Sequence, residues 1–361
     1  MIRYTYEKTI YMKILVVGDG HSSIHEVAVA EAFKKLGHDV DAFYWETYFR
    51  SQSLLVRLWH RIQNKFIMGP SLLRLNRDLI NRALQFNPKL ILIYRGTHIT
   101  AQTVTEIKQK LPNSVVYGYN NDDPFAVGHP TWLWRHFLRT VPKYDLVFAY
   151  RHHNLDDFRK IGAQRVELLR SWYIPEVNHR VDLLEIDKVR YECDLVFIGH
   201  YENDGRLEYL EEIVKSGYKL RIFGPGYEWN SLLAKSLVLK HLVPVHLVWN
   251  EEYNKALCGA KIALCFFSKL NRDTYTRRCF EIPAAGTLLL SEYSDDLATL
   301  YEAGQEAEFF KNKEEMIQKI NLYLRNDDLR RSVALNGNQR VIMDGHDVVS
   351  RMSKVLDFVY C

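Results

Sequence analysis

The chain has 361 residues, which at about 150 residues per domain points to two domains. Apolar residues make up 47% and charged residues 25%, ordinary globular values that exclude a disordered, collagen-like or coiled-coil chain. Lys and Arg number 48 against 44 Asp and Glu, a net charge of +4, too small for a general nucleic-acid binder, so any basic function must be local.

The longest apolar runs, LILIY at 90–94 and IALCFF at 262–267, fall far short of the roughly 18 residues a membrane span needs. The N-terminus, MIRYTYEKTIYMKILVV, has no apolar h-region ahead of its first strand-like run, so no secretory signal is expected and a cytoplasmic location is. In chain order, KILVVGDG (13–20) reads as a strand ending in glycines. Ser23-Ile24-His25-Glu26 follows in the S-x-x-E order of a capping box, predicting a helix from Ser23 that stops at Gly37. Further strands are expected at 38–45, 88–96, 114–120 and 144–150. The pattern restarts with strands at 193–201, 218–226, 261–267 and 287–292 and helices at 206–216 and near 251–259. Continuous apolar strands alternating with helices predict α/β architecture with parallel sheets covered on both faces. The expected division is an N-terminal Rossmann-like domain over 12–172, a linker over 173–192 and a C-terminal Rossmann-like domain over 193–340. Residues 341–361 form a last helix that could return to the first domain.

Five cysteines, Cys193, Cys258, Cys265, Cys279 and Cys361, are odd in number, form no C-x-x-C and mostly sit in apolar runs. They read as reduced buried thiols rather than a disulfide framework or zinc site. Gly18-Asp19-Gly20-His21-Ser22-Ser23 departs from the dinucleotide fingerprint because Ser23 stands where the third glycine packs helix on strand. A glycine loop that lets a ligand approach the sheet edge is the better reading. His21 and His25 lack the H-E-x-x-H order of a metal helix, and His21 is a candidate catalytic or polar group at the mouth of the sheet. Asn120-Asn121-Asp122-Asp123-Pro124 follows a strand, where α/β sheets place ligand groups. Asp122 and Asp123 are therefore candidate catalytic carboxylates, an Asx turn enforced by Pro124 being the competing reading. Trp132, Trp134 and His136 could stack on a ligand or simply pack.

Residues 50–82 carry Arg50, Arg57, Arg61, Lys65, Arg74, Arg77 and Arg82 against the single acid Asp78. Leu54, Leu55, Leu58, Trp59, Ile62, Phe66 and Ile67 recur beside them at helical spacing. Such a stretch either meets an anionic membrane surface, as a peripheral contact, or is a solvated helix with an ordinary core stripe. Nearer the C-terminus, Lys269, Arg272, Arg277 and Arg278 place four cations within ten residues, around a predicted helix start near Thr276 that Pro283 should kink or end. Cationic forks and backbone N–H groups suit the oxygens of a diphosphate. Glu281, one turn beyond Arg277, either reaches the paired hydroxyls of a ribose or pairs with the arginines.

At this stretch the sequence resembles glycosyltransferases of the GT-B fold, of the CgeB-like (spore maturation type) group related to retaining family four enzymes. The residues that carry the resemblance are Thr276-Arg277-Arg278-Cys279-Phe280-Glu281-Ile282-Pro283-Ala284-Ala285-Gly286, Val196-Phe197-Ile198-Gly199 with Arg206, and Gly345-His346-Asp347 with Arg351. Of the acidic pair spaced E-x7-E, Glu281 matches the second member, while the first falls on Asp273. The resemblance implies two Rossmann-like domains whose parallel sheets face a central cleft, with a nucleotide diphosphate sugar on the C-terminal domain and an acceptor on the N-terminal one. It implies that Glu281 binds the ribose, that Arg277, Arg278 and Lys269 hold the diphosphate, and that Asp273 faces the donor sugar. Gly199, His200, Arg206 and Gly224 would line the donor side. It further implies a metal-independent, retaining transfer with no cofactor. The acceptor, a nucleic acid among the candidates, is left open, as are the alternatives of a nucleotide-sugar epimerase and a non-catalytic nucleotide-sugar binder.

Overall fold

The computed structural model describes residues 11–359. The first ten residues, on which the expected lack of a signal partly rests, lie outside the described residues, as does Cys361. Two compact units emerge, one of residues up to Arg170 together with the segment from Val348, the other Ser171–Asp347.

The first unit is built on a wholly parallel sheet. Its strands are β1 (Lys13–Gly18), β2 (Asp39–Tyr44), β3 (Leu90–Tyr94), β4 (Val115–Asn120), β5 (Leu146–Ala149) and β6 (Val166–Leu168), in the order β2-β1-β3-β4-β5-β6. All five residues of β3, LILIY, are buried, as a strand covered on both faces requires. The last helix, Val348–Asp357, belongs to this unit. Just beyond it the Phe358 carbonyl accepts the Tyr117 hydroxyl at 2.7 Å and the Phe358 ring meets Phe148 at 5.7 Å. The return of the chain thus begins at Val348; residues 341–347 stay with the second unit.

The second unit carries a parallel sheet of β7 (Cys193–Ile198), β8 (Leu220–Phe223), β9 (Ala260–Cys265), β10 (Leu288–Glu292) and β11 (Glu308–Phe310) in the order β11-β10-β9-β7-β8. Residues 173–192, expected as a linker, are part of this unit. They include the helix Glu185–Tyr191, and Tyr173 bridges to Asp347. The two short edge strands, β6 and β11, had no separate expectation. At three residues each they leave too little alternation to read.

One local expectation fails for an identifiable reason. The first helix starts at Glu26, with His25 as its N-cap, not at Ser23. Glu26 does reach back, but past Ser23 to the amide of Gly20, 2.7 Å from Oε1. Pro283 lies within its helix, Arg278–Ala284, which ends one residue beyond it as expected. The Cys279 carbonyl that proline leaves without a helical N–H accepts the Tyr301 hydroxyl at 2.8 Å instead. Gly286, at φ +76°, then makes the turn into β10.

Of the cysteines, Cys193, Cys265 and Cys279 are buried, Cys258 is half-buried, and all four are free thiols. Burial pushes the Cys193 thiol up to about 12, which keeps it inert.

Candidate active site

In the second unit the donor-side residues gather beyond the C-terminal ends of β7, β8 and β9, where parallel sheets present ligand groups. Gly199 ends β7, and a Cβ there would lie 2.8 Å from Nη2 of Arg278. The guanidinium therefore rests on bare backbone. Arg278 has no hydrogen-bond or ion-pair partner among the described residues. Gly224 has a different role: a Cβ would meet the Gly199 carbonyl at 2.2 Å, and Trp229 Nε1 donates to that carbonyl at 2.9 Å. It lets two strand ends approach, which corrects its expected place among the ligand-lining residues.

One turn into the helix, the Glu281 carboxylate is 4% exposed. Its Oε1 accepts Arg277 Nε at 2.8 Å and its Oε2 the Tyr253 hydroxyl at 2.6 Å. Burial and the Glu281 charge hold the Tyr253 hydroxyl well above its ordinary range, so it stays a donor. Arg277 Nη1 is buried without a partner. The arginines are thus divided: Arg277 belongs to Glu281, and Arg278 faces Gly199. Tyr253 escaped the sequence reading because it comes from the helix Asn250–Cys258, more than twenty residues before the motif.

The loop between them is held at its neck. The Asp273 amide donates to Ser268 O at 2.9 Å, and Asp273 Oδ2 accepts the Ser268 amide at 3.4 Å. Lys269 is exposed, with Nζ 3.1 Å from Glu292 Oε1, which places its charge on the end of β10. His200 is also exposed, 3.0 Å from Glu228.

Arg206 requires a clear correction. It is 5% exposed and grips Asp204 with Nε at 2.9 Å and Nη2 at 2.6 Å, while Nη1 donates to the His200 carbonyl at 2.8 Å. With Nε and Nη2 on Asp204, Nη1 on the His200 carbonyl and Nη2 also reaching the Phe267 carbonyl at 3.4 Å, it braces the loops after β7 and β9 and is committed to the protein, not to a diphosphate.

In the first unit, Asp122 and Asp123 diverge. Asp122 Oδ2 accepts Arg95 Nη2 at 2.5 Å. Asp123 is fully buried and accepts the Phe125 amide and Asn154 Nδ2, both at 3.0 Å, with His153 Nε2 at 3.3 Å. It holds the turn, so the competing Asx-turn reading applies to Asp123 and its expected catalytic role does not. His21 is exposed, and its amide donates to Asp19 Oδ1 at 2.7 Å. Trp134 is buried beneath Arg95, 5.7 Å from ring centre to guanidinium, and Trp132 packs on Phe66 at 5.7 Å.

Two further residues of this edge were not singled out. Arg95, at φ +63° just past β3, is the cation that meets Asp122. Glu26 is 1% exposed, and burial together with the neighbouring Asp19 carboxyl pushes its own carboxyl up to about 7. A Cβ on Gly18 would fall 2.3 Å from Glu26 Cγ, so the glycine loop makes room for this carboxyl. The sequence signal was present, but Glu26 was absorbed by the capping-box pattern.

Residues 206–357 match the family model described as glycosyl transferase-like. Over these residues the chain is similar to glycosyltransferases. Solved structures extend the likeness over the whole chain. HepE from Anabaena, solved in complex with UDP and glucose, superimposes with a TM-score of 0.67 at 12% identity, covering 97% of this chain and 99% of that one. Sucrose-phosphate synthase from Thermosynechococcus elongatus gives 0.68 at 11%, covering 96% and 99%. A glycosyltransferase from Rickettsia africae gives 0.67 at 12%, covering 97% and 98%. No curated protein matches the chain by sequence. At such identities the structural likeness is one of fold, the GT-B arrangement of two Rossmann-like domains with parallel sheets. Family match and fold together meet the expectation of a glycosyltransferase.

Proposed function

We propose that this glycosyltransferase moves a sugar from a nucleotide diphosphate sugar to an acceptor, with the donor held on the second unit. The observation that carries the reading is Arg278: an unpartnered guanidinium laid on the bare backbone of Gly199 is a ready fork for phosphate oxygens. Beside it, the remaining lone pairs of Glu281 offer acceptors to a ribose, and the spare Nη1 of Arg277 offers a donor. HepE, on the same fold, was solved with UDP. Cations at the diphosphate stabilise the leaving group without a metal. In the retaining reading the C1–O bond to the diphosphate breaks, its electron pair stays on the phosphate oxygen, and that oxygen takes the acceptor proton as the acceptor oxygen bonds C1 on the same face. Within the family, the CgeB-like group is the narrower placement we favour, on the Thr276–Gly286 motif.

A panel of nucleotide sugars incubated with the full chain tests the reading. Transfer, or slow release of nucleoside diphosphate to water, supports it. An isomerised donor would make the protein an epimerase, and tight binding without turnover a non-catalytic binder.

A second element concerns location. No helix among the described residues is long and apolar enough to cross a membrane, yet the helix Leu54–Phe66 turns its apolar residues outward. Leu55 is 78% exposed and Trp59 51%, with Leu54, Leu58, Ile62 and Phe66 exposed too, while Gln63 is the buried residue. The core-stripe alternative therefore fails for this helix; among the apolar residues of that stripe, Ile67, just beyond the helix, is buried. Arg57, Arg61 and Lys65 share the helix without ion-pair partners among the described residues. Apolar and basic faces together fit the cytoplasmic, anionic surface of a membrane. Vesicle sedimentation should show binding to anionic and not to neutral vesicles; equal binding, or none to either, removes the reading.

A further inference from the structure

The strand β9 ends at Cys265, and Cys279 stands in the first turn of the helix Arg278–Ala284. Both side chains are fully buried, and their sulfurs lie 3.8 Å apart. The Thr276 hydroxyl touches the Cys265 sulfur at 3.3 Å. The other described cysteines do not compete for this contact. Cys193 opens β7, level with the start of β9 and so at the far end of the sheet, and the Cys258 thiol points to the His179 and Ala285 carbonyls. Residues 266–278, which run between the paired sulfurs, carry Lys269, Asp273, Arg277 and Arg278. The two thiols therefore meet at the base of the loop that the donor reading uses.

We infer that Cys265 and Cys279 are a modification site, forming a reversible disulfide that ties the base of the 266–278 loop and draws Arg278 off Gly199. The bond needs its sulfurs about 2.05 Å apart, so they must approach from 3.8 Å. Both side chains are enclosed, which leaves little room for rotation alone, and the backbone has to supply part of the approach. The two elements differ in how far they can yield. β9 is hydrogen-bonded on both sides, to β10 and to β7. The helix with Cys279 has seven residues and is entered from the loop. Cys279 is the side that moves, and Arg278, its neighbour in the chain, moves with it. The effect on the donor rests on the proposed role of Arg278.

The oxidant class is a small peroxide, hydrogen peroxide being the simplest. One cysteine sulfur attacks a peroxide oxygen: the S–O bond forms, the O–O bond breaks, and the hydroxide that leaves becomes water with that thiol's proton. The second sulfur attacks the first, the S–S bond forms as the S–O bond breaks, and the departing hydroxide takes the second thiol's proton. Two thiols lose two electrons between them and one peroxide becomes two waters. Burial keeps a solitary thiol such as Cys193 inert. Here the resolving thiol already touches the sulfur to be oxidised, so one local opening of the loop admits the peroxide and the second step needs none.

The experiment treats the reduced full chain with hydrogen peroxide, blocks the remaining thiols with iodoacetamide and maps the tryptic peptides by mass spectrometry. Cys265 should appear joined to Cys279 in a pair lighter by two hydrogens, which dithiothreitol separates. In calorimetric titration the affinity for UDP should fall about ten-fold or more in the oxidised chain and return with dithiothreitol. Cys265→Ser should bind UDP equally before and after peroxide. Wild type in which both cysteines are alkylated after peroxide, or are carried only to sulfinic acid, overturns the inference even where the variant misfolds. A disulfide that forms with UDP affinity unchanged overturns the displacement of Arg278. Failure of UDP to bind the reduced chain strikes the donor proposal instead and leaves the peptide map to judge the disulfide.

Discussion

Glu281→Gln removes one negative charge from a carboxylate that is already occupied on both oxygens. Arg277 Nε lies at 2.8 Å and the Tyr253 hydroxyl at 2.6 Å. Each charge-assisted hydrogen bond is worth roughly 1.5 to 3 kcal/mol, and the glutamine keeps an acceptor for only one of the two donors. A net loss of about 2 kcal/mol is therefore expected in the free protein, since Arg277, about a quarter exposed, recovers part of its hydration. For a unit of this size that lowers the melting temperature by roughly 4 to 8 °C. The same substitution should weaken UDP binding about ten-fold or more, at 1.4 kcal/mol per decade, because the ribose loses its charged acceptor. Thermal unfolding followed by circular dichroism reads the first effect, and calorimetric titration of UDP reads the second. An unchanged melting temperature would refute the ion pair as a source of stability, and unchanged UDP affinity would refute the ribose assignment.

Three other outcomes follow from the geometry. Arg206→Ala should cost about 3 to 5 kcal/mol of stability, because it leaves Asp204 buried and unpaired, whereas Arg278→Ala should leave the urea midpoint nearly unchanged and weaken UDP about ten-fold to a hundred-fold. Glu26, pushed up to about 7 from 4.5 by burial and Asp19, binds its proton more tightly folded than unfolded. Its contribution is whole below pH 4.5 and is lost as pH rises through 7, roughly 3 kcal/mol in total; urea unfolding at pH 5 and 8 should show that fall in wild type and a smaller one in Glu26→Gln. Transfer should survive EDTA, and restoration of a lost activity by Mn²⁺ would put the metal-independent reading aside.

The parallel sheets were legible because their strands are continuous apolar runs that end in glycine or a polar turn, KILVVG and CDLVFI being examples. The motif around Glu281 was legible for its density of charge. What the sequence hid was the division of labour among those charges. Arg206, Arg277 and Arg278 look alike in a string of letters, yet one is spent on Asp204, one on Glu281, and one on nothing. Asp122 and Asp123 are adjacent and end on opposite accounts, one meeting Arg95 and the other sealed beneath Asn154. Partners such as Tyr253 and Arg95 come from elements distant in sequence, and only the folded chain brings them to the strand ends. The helix Leu54–Phe66 shows the limit of periodicity, since an amphipathic pattern says which residues share a face and not which way that face turns.

The central claim, a nucleotide diphosphate sugar held and cleaved at Arg278 and Glu281, is tested most directly by ³¹P NMR of the full chain with UDP-glucose and a panel of other nucleotide sugars. The account predicts saturable binding of at least one donor and appearance of its nucleoside diphosphate, both diminished about ten-fold or more by Arg278→Ala in a protein whose melting curve is unchanged. Donor signals that stay unperturbed by the wild-type chain across the panel, or release that is equal in Arg278→Ala, would contradict it.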